Sequence, residues 1–103
     1  MAGGLDNAVR RLLQNPHKIL KHHISEGMTV LDLGCYSGFF SLEIAKILLD
    51  SGKVIAADLQ EGMLEKVIKK IKGTELEQII EIHKCENTKI GVAEKVDFVL
   101  AFI

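Results

Sequence analysis

The stretch from Val30 to Ser41, VLDLGCYSGFFS, constrains this chain more than any other. Apolar residues fill nearly every position from Thr29 to Leu33, as in a parallel strand buried on both faces. Gly34 and Gly38 then bracket a turn, Gly34-Cys35-Tyr36-Ser37-Gly38, and a helix opens at Phe39. Strand, glycine-spaced turn and helix start are the parts from which parallel α/β sheets build a ligand site at the carboxyl end of a strand.

The remaining segments fit such a sheet. A short helix is expected over Asp6 to Leu13, within a helical segment covering residues 1–14; the main domain takes residues 15–103. Asn15-Pro16 is a firmer helix start, with Asn15 as cap and Pro16 in the first turn. That helix points Ile19, Leu20 and Ile24 inward and stops near Ser25-Glu26-Gly27. The spacing predicts a helix from Phe39 to Leu49, with Leu42, Ala45, Leu48 and Leu49 on one face and Phe40, Ile44 and Ile47 beside it. A strand follows from Lys53 to Asp58. The next helix runs from Glu61 to Lys72, with Leu64, Val67, Ile68 and Ile71 inward and Lys66, Lys69, Lys70 and Lys72 in water. Strands over Ile79–His83 and Val96–Ala101 flank a polar loop, Lys84 to Glu94. Right-handed crossovers give a parallel sheet of order 3-2-1-4 in a three-layer αβα arrangement. The order reverses between strands one and four, so a ligand crevice is expected at their carboxyl ends, beside the glycine turn.

Composition removes several function classes. The chain is 48% apolar and 26% charged, which suits a packed globule. A formal charge of −1 leaves no electrostatic footprint for nucleic acid or an anionic membrane. Cys35 and Cys85 share no metal-ligand spacing, so no metal is expected. The longest apolar run, Phe98 to Ile103, is too short to span a bilayer. No segment has the pattern of a signal peptide, and the cytoplasm is the expected compartment.

The glycine turn fails two phosphate-binding patterns. Nothing matches GxxxxGK[ST], and a GxGxxG fingerprint from Gly34 would need glycine at Tyr36 and Phe39. Asp32 lies two residues before Gly34, where its carboxylate would repel a pyrophosphate and suit a cationic ligand.

VLDLGCYSGFFSLEIA resembles motif I of the class I S-adenosylmethionine-dependent methyltransferases, hh[DE]hGxGxG, through Asp32, Gly34 and Gly38. VIAADLQEGMLEKV resembles their motif II, IEIHKCEN the segment after strand three, and KVDFVLAF strand four. The leading helix is similar to the entry of quinone-methylating, small-molecule members. The resemblance covers residues 15–102 and implies a Rossmann-like fold with S-adenosylmethionine as cofactor. It implies that Asp32, Gly34, Cys35, Tyr36 and Gly38 surround the methionine end. Asp58 would then hold the ribose hydroxyls, Leu59 and Met63 flank the adenine, and Cys85, Glu86 and Asn87 meet its edge. Two carboxylate oxygens can accept from adjacent hydroxyls, which is why an acid serves at Asp58.

Two departures stand out. Tyr36 replaces the usual middle glycine, and a positive φ there would strain it. Full family members add about three strands after strand four, so this chain is expected to be a cofactor-binding half of a truncated domain. Its exposed strand-four edge would then be a surface for self-association.

Plainer roles compete for the same residues. Asp32 can cap the turn, Asp58 can cap the following helix, Met63 can serve the core, and Glu86 can be an exposed loop charge. Tyr36 can pack or face the acceptor. His22 and His23 suit a helix end, while His17 and His83 have no evident partner. The leading expectation is methyl transfer to a small-molecule acceptor, with no catalytic base assigned. The alternatives are a binding or pairing module without catalysis, and a nicotinamide-dependent oxidoreductase.

Overall fold

The computed structural model describes residues 11, 14–49, 51–87 and 89–101. Of the helix expected over residues 6–13, only Arg11 falls among them. Asn15 Oδ1 accepts from the Lys18 N–H at 3.4 Å, and Pro16 begins helix α1, Pro16–Lys21. This helix stops earlier than Ser25 because the N–H groups of His22 and His23 turn back three residues, to Ile19 and Leu20. Leu20 and Ile24 are nevertheless both buried.

Strands β1 (Thr29–Leu33), β2 (Lys53–Asp58), β3 (Ile80–Lys84) and β4 (Phe98–Ala101) form a parallel sheet of order β3-β2-β1-β4. This is the Rossmann-like arrangement expected from the crossover rule. Leu31 lies opposite Ile55 on one side and Val99 on the other. Asp97 sets the start of β4: its N–H donates to Thr29 O at 2.7 Å, and its Oδ2 accepts from the Thr29 N–H at 2.8 Å. Both β3 and β4 begin later than their apolar residues suggest. Ile79 closes a 3-10 turn, Glu75–Gln78, by donating to Leu76 O, and Val96 packs on the sheet from outside it.

Helices α2 (Phe39–Leu48) and α3 (Glu61–Ile71) follow β1 and β2. Buried side chains of all three helices join Val30, Val54, Ala56 and Ile80 in one cluster. Leu31, Ile55 and Ala57 form a second with Cys85, against which Val92 and Val96 pack. The segment between β3 and β4 therefore covers that face of the sheet. Two residues expected inside are exposed. Ile68 lies beside the stripe that Leu64, Val67 and Ile71 complete without it. Leu49 is past the end of α2, at φ 57° and ψ −130°, a setting that strains any side chain. Leu49→Gly is expected to stabilise the fold by about 1 kcal/mol, visible as a higher Tm. An unchanged or lower Tm would refute the strain.

Candidate functional site

The glycine turn is tied to β2 by its own backbone. Gly34 and Cys35 both donate N–H groups to Ala57 O, at 2.8 and 3.0 Å. The Tyr36 N–H donates to Asp58 Oδ2 at 3.0 Å, and the Gly38 N–H donates to Cys35 O at 2.9 Å. All four N–H groups are thus committed to protein acceptors. A phosphate site needs such groups free and convergent. Gly38 is required twice over. Its φ is +90°, and a Cβ there would lie 2.9 Å from Val67 Cγ2 of α3. It serves backbone shape and helix packing. Tyr36 sits at φ 52° with its ring half exposed, so the strain expected from the sequence is present.

Asp58 ends β2 and is buried, with its carboxylate on the cleft wall. Besides the Tyr36 N–H, it accepts from the Gln60 N–H at 2.9 Å through Oδ1. That bond makes a local turn two residues long, not a cap inside α3. Each carboxylate oxygen keeps a second acceptor site for a ligand.

Asp32 lies at the foot of the turn, 1% exposed. Ser41 Oγ donates to its Oδ2 at 2.6 Å, while Oδ1 is buried without a hydrogen-bond partner among the described residues. Burial pushes the Asp32 carboxyl up to about 6; the Ser41 hydroxyl opposes that shift and the charge of Asp58 adds to it. Ser41 belongs to the first turn of α2, so the Asp32 carboxylate is held against the N-terminus of that helix.

Both cysteines are buried and free. Burial, then Asp32 and Asp58, push the Cys35 thiol up to about 12. Burial and Asp58 also raise Cys85. Neither is a nucleophile near neutral pH.

A cleft of about 470 Å³ opens beyond the carboxyl ends of the strands, within the range of small-molecule sites. Seven sequence-chosen residues line it: Gly34, Tyr36, Asp58, Leu59, Cys85, Glu86 and Asn87. Asp32, Cys35 and Gly38 lie behind the turn, and Met63 is half-buried on α3 away from the lining. Leu33, Gln60, Lys89 and Ile90 complete the wall and were not singled out from sequence. Lys89 and Ile90 enter because the chain after β3 doubles back. Glu86 and Lys89 exchange backbone hydrogen bonds of 3.0 and 3.2 Å, and His83 Nε2 donates to Ile90 O at 2.6 Å. The turn-forming composition of Glu86-Asn87-Thr88-Lys89 was the available signal. His83→Ala is expected to speed amide exchange at Glu86 and Lys89 roughly five- to tenfold, and His83→Gln far less. Equal exchange in the wild type and both variants would remove His83 from this role.

Another hollow, about 550 Å³, lies between the end of α2 and the 3-10 turn; none of the candidate residues line it. Among the described residues, no group of three or more His, Cys, Asp or Glu side chains is placed to hold a metal. No described helix is long and apolar enough to cross a membrane.

Residues 24–102 match a family model described as a methyltransferase domain. The demethylmenaquinone methyltransferase of Desulfitobacterium hafniense is 29% identical over 68 residues, covering 66% of this chain and 27% of that protein. The ribosomal protein L11 methyltransferase of Dictyoglomus thermophilum is 33% identical over 84 residues, covering 82% and 26%. The crystal structure of a SAM-dependent methyltransferase from Aquifex aeolicus superposes with a TM-score of 0.74 at 38% identity, covering 86% of this chain and 48% of that one. The chain thus spans about a quarter of the length of these curated relatives.

Proposed function

The chain belongs to the class I S-adenosylmethionine-dependent methyltransferases, and on that premise we propose that its cleft holds the cofactor for methyl transfer to a small-molecule acceptor. The observation that carries this reading is the state of the glycine turn. The N–H groups of Gly34, Cys35, Tyr36 and Gly38 are committed, and behind them lies a buried carboxylate with one oxygen unpartnered among the described residues. Such a site disfavours a pyrophosphate and favours a ligand with cationic donors. This argues against the nicotinamide alternative on physical grounds.

When bound, S-adenosylmethionine supplies an electrophilic methyl group on a sulfonium. In our reading Asp58 accepts from the two ribose hydroxyls through its remaining acceptor sites. Leu59 covers the adenine, and Cys85, Glu86 and Asn87 border its edge. Asp32 favours the ammonium end through space, behind Gly34 and Tyr36. The protein's work is positioning and exclusion of water.

The relatives act on different acceptors by name, a quinone precursor and a ribosomal protein. The near-neutral chain, without a charged docking surface evident in its composition, favours the small molecule. A crystal structure with S-adenosylhomocysteine tests the cofactor site. We expect the ribose at Asp58 and the amino group on the Asp32 side; density elsewhere would refute the placement. Transfer of labelled methyl to a demethylmenaquinone, and not to ribosomal protein L11, is the expected acceptor result. The reverse preference would overturn the small-molecule reading, and no transfer with intact cofactor binding would favour the module without catalysis.

A further inference from the structure

Helix α3 reaches the glycine turn from outside the cleft. Lys70 Nζ donates to Ser37 O at 2.7 Å, although the two residues are 33 apart in sequence. One turn earlier on the same helix, Val67 packs where a Gly38 side chain would go. On the inner side, Asp58 holds the Tyr36 N–H. The turn is therefore fixed from both sides, and the Ser37–Gly38 peptide is held at both its polar groups, the N–H by Cys35 O and the carbonyl by the lysine. That peptide sits between strained Tyr36 at φ 52° and Gly38 at φ 90°.

We infer that Lys70 is a positioning residue for the cofactor cleft: its ammonium holds the glycine turn in its binding-competent shape through Ser37 O. This inference rests on the proposed function, because it concerns the same cleft. A lone exposed lysine on a helix face has no such effect, and the sequence pattern gives Lys70 no distinction from Lys66, Lys69 or Lys72.

The sign of the effect separates positioning from simple charge. S-adenosylmethionine carries a net positive charge at neutral pH, so deleting a nearby cation by itself would tighten binding. Loss of turn geometry would weaken it, and would weaken net-neutral S-adenosylhomocysteine equally. The experiment measures both affinities by calorimetry for the wild type, Lys70→Met, Lys70→Arg and the control Lys69→Met, with thermal unfolding alongside. The expected result for Lys70→Met is a loss of about five- to tenfold for both ligands at an almost unchanged Tm. Lys70→Arg should restore binding to near the wild-type value, and Lys69→Met should leave it alone. Unchanged or tighter binding in Lys70→Met, or an equal loss in Lys69→Met, overturns the inference.

Amide exchange of Tyr36 and Gly38 in the free protein gives a readout independent of the cofactor. Faster exchange in Lys70→Met than in the wild type and Lys69→Met supports the inference, and equal exchange overturns it. If the wild type binds neither ligand, the proposed function fails and this exchange comparison alone decides the role of Lys70.

Discussion

Asp58→Ala is expected to weaken S-adenosylmethionine binding by about 1.5–3 kcal/mol, roughly 10- to 150-fold, the range for hydrogen bonds to a charged group. The same change strips the Tyr36 and Gln60 N–H groups of their acceptor, so stability should fall by about 1–3 kcal/mol as well. Asp58→Asn separates the two effects. Its single amide oxygen can still accept from one backbone N–H, which retains part of the turn. It no longer offers two charged acceptors to a pair of hydroxyls, so most of the affinity loss should persist. Calorimetry with a thermal melt measures both. A folded Asp58→Asn protein that binds at wild-type strength would take Asp58 out of the site.

The second large effect is on pH. The Asp32 carboxyl is raised from 3.8 to about 6 in the folded chain. Between those values the folded protein binds more protons than the unfolded one, so this residue's contribution to stability falls as pH rises. The full change is about 3 kcal/mol, lost from roughly pH 4 through pH 6. Ligand affinity has the opposite slope. A cation acting on Asp32 through space favours its ionised form, so binding should strengthen up to about tenfold from pH 5 to pH 7 and then level off. Asp32→Asn should flatten both profiles relative to the wild type. Binding that weakens as pH rises through 6, or an Asp32→Asn profile identical to the wild type, would contradict the assigned role.

The two large effects fall on residues that were legible in the sequence for a simple reason. Val30 to Leu33 is apolar apart from Asp32, Val54 to Ala57 is apolar throughout, and each ends in a polar or glycine break that marks a strand end. With the crossover rule, those runs settle the neighbours of every strand and bring Asp32, Gly34 and Asp58 to one end of the sheet. Features set by contacts between distant segments were not legible. Gly38 looked like part of the ligand surface, but Val67 of a different helix occupies the space a side chain would need. His83 looked partnerless until the chain doubled back and brought Ile90 O to it. Leu49 and Ile68 satisfied helical spacing, yet the first lies beyond a helix end and the second beside a stripe already filled. Met63 fitted a motif by position, and its half-buried side chain does not line the cleft. Periodicity reports which face a residue is on, not how far the partner element extends.

A buried acid behind the glycine turn and a second acid on the cleft wall together select a sulfonium nucleoside over a dinucleotide. Paired titrations of the same protein sample with S-adenosylmethionine and with NAD test this most directly. The expected result is saturable one-to-one binding of S-adenosylmethionine and no measurable heat from NAD. Tight binding of NAD with none of S-adenosylmethionine would contradict it.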